Sequence, residues 1–447
     1  MPLTAVILAA GLGTRMRSPL PKVLHPIAGR PMVEHIVREL QSLGADVVVV
    51  VHHHEQLVRE ALAHLGVRFA RQSAPRGTGD ALDSALVELP DGGPVVVTAG
   101  DTPLLTAASV QRLLDHHRGD VTVATFQAAN PAGYGRLVPG LGIVEESACN
   151  EQQRRIDTVN SGVYVFEAAH LRRALPRLVP HPPKNELWLT DLVDAGATVV
   201  GGFAEAEFLG VNDRGALALA RDHMHERIVR AWAETGVDFA SLRVAIDANV
   251  VLHPTASLGH HVVLSGCSIV AGNIGDNCVI VDSVVAQGAI IFASTHLDGA
   301  QVGPGARVGP MARLRPGAII EADAHIGNFV EVKNSTVGRG AKANHLAYIG
   351  DAEVGAGANV GAGTITCNYD GVQKHRTHIG NGAFIGSNTA LVAPIRVGDG
   401  AMIGAGSTIT EDIPADAIAV ARAPLKVIPN RAARLLAHYR AQKGSGQ

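Results

Sequence analysis

From Val302 onward, aliphatic residues recur every six positions: Val302, Val308, Leu314, Ile320, Ile326 and Val332. After a stutter the beat returns at Ile379, Ile385, Leu391, Val397, Ile403 and Ile409. Most of these residues are followed by Gly, Glu or another small or polar residue. The pattern is the hexapeptide signature of a parallel β-helix, in which each aliphatic points into the axis and each six-residue strand forms one flat side of the coil. Between the two runs lies Thr366–His378, thirteen residues that do not fit the beat. Insertions in a solenoid are extruded as loops, and loops on a rigid scaffold collect binding groups. Such a coil can also be a spacer or a trimerisation stalk, so the repeats alone do not establish a site.

A chain of 447 residues is too long for one ordinary core, and two domains are expected. The net charge of −3 gives no global attraction to nucleic acid. Four cysteines (Cys149, Cys267, Cys278 and Cys367) lack C-x-x-C spacing; they suggest neither a disulfide framework nor a zinc site, and point to a reducing compartment. The apolar N-terminus lacks a basic region before it and reads as a first strand rather than a signal segment. No apolar run reaches the roughly 18 residues of a membrane span. A cytoplasmic protein without membrane insertion is expected.

The first half alternates strands and helices. Leu3–Leu8, Asp46–Val51, Val67–Ala70 and Pro94–Thr98 read as buried strands; Pro31–Leu43, Glu55–Leu65 and Thr78–Leu89 have helical spacing. Alternation at this spacing predicts a parallel, doubly wound α/β sheet, with ligands at the carboxyl ends of the strands. The Gly-rich loop after the first strand and Ala99-Gly-Asp101 both fall there. Val211–Glu234 reads as a long helix, and Ile246, Leu252, Leu258 and Leu264 then start the six-residue beat. The expected division is a domain over 1–228, a linker over 229–245 and a β-helix over 246–447.

In the first loop, Gly11 and Gly13 let backbone N–H groups approach a phosphate, and Arg15 and Lys22 add cations. It is neither a Walker loop nor a dinucleotide fingerprint, since Met16 stands where the third glycine belongs. The string Leu8-Ala-Ala-Gly-Leu-Gly-Thr-Arg-Met16, followed by Pro21-Lys22-Val-Leu, resembles the sugar-1-phosphate nucleotidyltransferases. In the second half, Ala312-Arg-Leu-Arg-Pro-Gly317, Gly327-Asn-Phe-Val-Glu-Val-Lys333, His345-Leu-Ala-Tyr-Ile-Gly-Asp351 and Gly361–Gly371 complete the likeness. Over essentially its full length the chain resembles the bifunctional bacterial N-acetylglucosamine-1-phosphate uridyltransferase/glucosamine-1-phosphate acetyltransferases.

That resemblance implies an N-terminal Rossmann-like nucleotidyltransferase domain, a linker helix and a left-handed parallel β-helix. It implies acetylation of glucosamine-1-phosphate by acetyl-CoA, then uridylyl transfer from UTP to N-acetylglucosamine-1-phosphate, giving UDP-N-acetylglucosamine for cell-envelope sugars. For uridylyl transfer it places Leu8, Ala9, Ala10 and Gly11 on the nucleotide, Arg15 on the triphosphate and Lys22 on phosphate at the reacting centre. Gln72, Gly77 and Thr78 would read uracil. Asp101 and Asn212 would hold Mg²⁺; Gly135, Glu145 and Asn160 would hold the sugar. Ala99 is a departure: relatives can carry Tyr or another side chain there, so a side-chain contact to the sugar would be lost.

For acetyl transfer the resemblance implies His345 as general base, and imidazole has a suitable pKa for taking a proton from an amine. Strands in a β-helix stack roughly 4.8 Å apart, so Arg315 and Lys333 can line one face and grip the sugar phosphate. Tyr348 and Asn359 would hold the sugar. Ala362, Asn368, Tyr369, Ser387, Ala405 and Arg422 would bind acetyl-CoA. The family's members are trimers, with acetyltransferase sites between subunits.

His52-His53-His54 reads as a solvated strand end rather than a metal site, because adjacent side chains do not converge. The segment after Asp416, with six Lys/Arg and no acid, reads as a solvated tail, a lid over CoA, or a partly disordered end near Lys443–Gln447. Two other functions remain open at this level: a nucleotidyltransferase whose β-helix is only structural, and a non-catalytic nucleotide-sugar sensor.

Overall fold

The structure, a computed structural model, describes residues 3–444; the expectation of disorder at residues 445–447 lies outside them. The chain forms two compact units. One holds the described residues up to Val250 together with Val263–Cys267, the other Val251–Val262 together with the residues from Ser268. The helix Arg214–Glu234 runs uninterrupted through residue 228, and the segment 229–245 belongs to the first unit.

The first unit is built on a sheet whose main path runs Thr198–Val200, Val121–Gln127, Thr158–Glu167, Pro94–Ala99, Thr4–Leu8, Asp46–Val51, Arg68–Arg71. Alternate residues of each strand enter different cores. Ala5, Ile7, Val47, Val49 and Val51 pack on one side with the helices Met32–Ser42 and Ala107–His116. Val6, Val48 and Val50 pack on the other with Thr78–Asp83 and Ala168–Ala174. Burial on both faces is why these strands read as continuous apolar runs. Thr4–Leu8 runs parallel to both of its neighbours. The expected parallel sheet is interrupted by one strand: Thr158–Glu167 runs antiparallel to Pro94–Ala99 and to Val121–Gln127. Val159 of that strand also pairs with Arg136 of a small hairpin, Arg136–Val138 with Gly142–Val144.

The second unit is a left-handed parallel β-helix. Short strands of two to four residues stack in three sheets, coil upon coil, with registers such as Leu297↔Leu314↔Val332↔Ile349. The twelve aliphatics of the two six-residue runs are each at most 3% exposed. Truncating one to Ala would cost about 2–5 kcal/mol. What looks like a stutter in the sequence is a continuous coil: Val337, Ala343, Ile349, Val354, Val360 and Thr366 fill the axis between the runs. Two sides are simply five residues long, Val332 to Val337 and Ile349 to Val354. Only part of the odd stretch leaves the coil. Thr366 and Cys367 end one strand, Thr377 and His378 begin another, and residues 368–376 form the extruded loop.

Candidate functional sites

In the first unit, the loop after Leu8 and the end of Pro94–Ala99 open into one cleft of ≈ 610 Å³. Of the expected residues, Leu8, Ala9, Ala10, Gly11, Arg15, Lys22, Gln72, Gly77, Thr78, Asp101 and Glu145 all line it. The Lys22 ammonium is bonded to the Asp101 carboxylate and lies 3.2 Å from Asn212 Oδ1. Asn212 arrives there because Val211 N–H donates to the Asp101 carbonyl at 2.8 Å. The helix expected from Val211 starts instead at Arg214, since the Asp213 side chain caps it by accepting from Ala216 N–H at 2.9 Å. Lys22 itself depends on Gly13. That residue has φ +60°, and a Cβ there would lie 2.6 Å from Lys22 Cβ.

Gln72 is buried, and its side-chain NH₂ donates to Asp80 Oδ2 at 2.7 Å. This fixes the amide and leaves its oxygen as an acceptor. The Thr78 hydroxyl accepts from Leu189 N–H at 3.1 Å, and Gly77 packs so closely on Leu187 that a Cβ would lie 2.5 Å from the Leu187 carbonyl oxygen. Glu145 accepts from the Thr190 hydroxyl at 2.8 Å. Burial raises its carboxyl above the ordinary range, the Thr190 hydrogen bond opposing. Asn160 sits at the irregularity of the antiparallel strand, bonded to the Tyr164 hydroxyl at 2.7 Å, and its N–H donates to the Gly135 carbonyl. Gly135, Asn160 and Asn212 are not on the cleft wall; Glu186 and Trp188 are, unanticipated from sequence. Trp188 stacks on His181 at 3.8 Å between ring centroids, and His181 is held by Asp191 at 2.7 Å.

Two hard oxygens converging on one ammonium show that Asp101 and Asn212 can serve a single cation. Oxygens of this type suit a divalent metal held largely by substrate phosphate. His52-His53-His54 forms no such group: the His52 ring bonds the Gln72 carbonyl, and among the described residues no group of three or more His, Cys, Asp or Glu converges on a metal site.

On the β-helix the expected residues fall into two corners. In the first, Asn328 pairs with His345. The registers Ala343↔Val360, Val360↔Ile385 and Ile385↔Ile403 then bring His345, Ala362, Ser387 and Ala405 to one level on successive coils. Arg422 adds its guanidinium, donating to the Ala405 carbonyl at 2.7 Å. The expected base and most of the residues expected on acetyl-CoA thus form a single column.

In the second corner, Arg315 and Lys333 lie side by side on adjacent coils. Arg315 pairs with Glu331 at 2.9 Å and Lys333 with Asp351 at 3.3 Å. Burial alone would raise the Asp351 carboxyl, but hydrogen bonds from Asn334 and Asn368 and the Lys333 charge hold it below its ordinary value. Asn368 is therefore placed beside Lys333 and Asp351 rather than with the Ala362 column. Tyr369, beside it, is 60% exposed. Lys374 was not anticipated. The loop carries it to Lys333, whose ammonium pushes Lys374 below the ordinary lysine value. The signal available in the sequence was a lone lysine inside the insertion. Tyr348 shares the sheet face of Lys333, whereas Asn359 lies on another sheet beside Lys342. One chain does not bring Asn359 to Tyr348.

Comparison with known proteins agrees with both halves. Residues 5–182 match the MobA-like NTP transferase domain, and 376–411 match the bacterial transferase hexapeptide (six repeats). "Bifunctional protein GlmU" of Sorangium cellulosum is 43% identical, the match covering 98% of each chain. Its namesake in Methylococcus capsulatus is 44% identical over 95% of each. That of Acinetobacter baumannii is 40% identical over 95% of this chain and 96% of its own. With both domain types in the same order and full-length identity at this level, the chain belongs to the family of bifunctional GlmU proteins.

Proposed function

We propose that the two activities of this bifunctional transferase are divided between the two units. The β-helix acetylates glucosamine-1-phosphate, and the α/β unit then transfers uridylyl from UTP to the product. The observation that carries this reading is the cluster of Arg315, Lys333 and Lys374 on one face of the coil. Arg315 and Lys333 are paired with Glu331 and Asp351, and the loop adds Lys374 as a third cation, a grouping suited to a phosphate.

In acetyl transfer, Arg315, Lys333 and Lys374 hold the sugar phosphate, and Tyr348 and Asn359 hold the ring. The column Ala362, Ser387, Ala405 with Arg422, together with Asn368 and Tyr369, takes acetyl-CoA. His345 removes a proton from the substrate ammonium, and the freed amine attacks the thioester carbonyl. The attacking nitrogen sheds a second proton as the tetrahedral oxyanion collapses and the C–S bond breaks; one of the two protons goes to the thiolate, which leaves as CoA thiol, and the other is released to solvent.

In uridylyl transfer, a phosphate oxygen of N-acetylglucosamine-1-phosphate attacks the α-phosphorus of UTP and pyrophosphate leaves. Backbone N–H groups from Leu8 to Gly11 cradle the nucleotide and Arg15 meets the triphosphate. The free oxygen of Gln72 accepts the uracil N3–H, beside Gly77 and Thr78. Gly135, Glu145 and Asn160 hold the sugar. Asp101 and Asn212 would hold Mg²⁺, which neutralises phosphate charge when bound. Lys22, released from those oxygens, turns to the phosphate at the reacting centre.

A homotrimer fits the surface of the coil. Val251, Ile269, Val284 and Ile319 stack in one sheet with Gln301 between them, and they are 50%, 48%, 40% and 39% exposed. A second copy on this stripe would cover it, and subunit packing would let Asn359 of one chain meet Tyr348 of another. The deciding experiment measures CoA thiol release from acetyl-CoA with glucosamine-1-phosphate, for wild type and His345→Ala. Release that collapses in the variant while uridylyl transfer persists supports the reading. No release from wild type would leave a nucleotidyltransferase with a structural β-helix.

A further inference from the structure

We propose that Asn328 is the positioning residue of acetyl transfer: its side-chain oxygen accepts the Nδ1 proton of His345, leaving Nε2 unprotonated to receive the proton of the substrate ammonium. The proposal rests on the reading of His345 as the base.

The geometry is specific. His345 Nδ1 lies 3.1 Å from Asn328 Oδ1, and the two are register partners on adjacent coils. A second contact pins them together, since Leu346 N–H donates to the Asn328 carbonyl at 3.1 Å. Phe329 and Leu346, which follow the two residues, both adopt left-handed backbone (φ 55° and 45°), so the two corners turn in the same way and keep the side chains aligned. Asn328 is half-buried between coils, while His345 is exposed and shares its column with Ala362 of the acetyl-CoA set.

The chemistry of the orienting group matters. Imidazole is a base only at the nitrogen that lacks a proton, and the hydrogen bond made by the other nitrogen selects the tautomer. A carboxylate in this place would also stabilise imidazolium and leave more of the base already protonated near neutrality. An amide selects the tautomer without adding a charge. Other titratable groups share this sheet. His325 and Lys342 lie on the same sheet, and burial, Arg307, Lys342 and His345 lower the pKa of His325.

The test uses full-length protein and the pH dependence of acetyl transfer, with uridylyl transfer and trimer content as integrity controls. Asn328→Asp keeps an acceptor but adds a charge. Its acidic limb in kcat/KM should move to higher pH by about one unit. Asn328→Ser is too short to reach the ring. Its kcat should fall on the order of tenfold to a hundredfold, the scale typical of lost outer partners of histidine ligands, with KM for both substrates little changed. A residue that merely supports the coil could lower kcat but would leave the acidic limb in place. An Asp variant with the wild-type limb, or a Ser variant with wild-type kcat, overturns the proposal. His345→Ala separates the two levels: if it retained acetyl turnover, the base assignment itself would fail, whatever the Asn328 variants did.

Discussion

The Lys22 ammonium is bonded to the Asp101 carboxylate, and Asn212 Oδ1 lies 3.2 Å from the same nitrogen. The lysine thus occupies the place between the two side chains proposed to hold the metal. On that proposal, loading the site would require Lys22 to leave, and its departure would free it for the phosphate of the substrate. Binding and activation would then be coupled through one exchange of cations.

Lys22→Met should therefore bind Mg²⁺ or Mn²⁺ more tightly than wild type when no nucleotide is present, because the competing ammonium is gone. Its uridylyl transfer should nevertheless fall by about 10²–10³, the scale of losing one donor at a developing charge. Calorimetric titration of the metal and pyrophosphate release check the two arms. Equal metal affinity in the two proteins would rule out competition.

Gly13→Ala places a Cβ 2.6 Å from Lys22 Cβ at a backbone angle of +60°. The left-handed conformation alone costs about 1–2 kcal/mol for a non-glycine residue. Uridylyl transfer should drop sharply with Tm lowered by a few degrees, while acetyl transfer stays at the wild-type level.

Removing the loop cation should weaken substrate binding more than chemistry. For Lys374→Ala, KM for glucosamine-1-phosphate should rise about ten- to a hundredfold, matching a charged hydrogen bond of roughly 1.5–3 kcal/mol. The KM for acetyl-CoA should stay near wild type. Steady-state kinetics with each substrate varied would show whether Lys374 faces the phosphate.

Burial raises the Glu145 carboxyl above its ordinary value, with the Thr190 hydrogen bond opposing. The sign follows from linkage: a folded-state pKa above the unfolded one makes the ionised group destabilising at neutral pH. That penalty is absent below the unfolded value and grows as pH rises through the folded one. Glu145→Gln should therefore have a higher Tm than wild type at pH 7, with the gap closing toward pH 4, and should lose sugar binding. Thermal unfolding across that range reads the sign directly.

Ile269→Glu puts a charge into the exposed aliphatic stripe. Sedimentation should show dissociation of the trimer, with acetyl transfer lost and uridylyl transfer kept. An intact trimer in this variant would place the interface on another face.

Much of the fold was legible because its two periods differ. Strands buried on both faces read as apolar runs, and the coil reads as a beat of six. The stretch from Val337 to Thr366 was illegible as coil because two sides are five residues long and two axial positions carry Ala343 and Thr366, which are not large aliphatics. The antiparallel strand Thr158–Glu167 was also hidden, since strand direction leaves no mark on local composition. Among site residues, the Gly-rich loop and Asp101 were visible through strand–loop–helix order. Trp188 and Lys374 were not, because each reaches its site by a loop.

The sequence by itself determined the two architectures and their order along the chain, because hydrophobic period and glycine placement are local properties, and its motif strings carried the resemblance to the family. Only the tertiary structure decided which distant residues meet. Asp101 and Asn212 share a cation because Val211 bonds the Asp101 backbone and Asp213 caps the following helix, so that it begins only at Arg214. Asn328, His345, Ala362, Ser387 and Ala405 share a column because coils of 17, 17, 25 and 18 residues return the chain to the same corner each time. Those lengths differ in sequence, and the stacking hydrogen bonds of the β-helix make them equivalent in space.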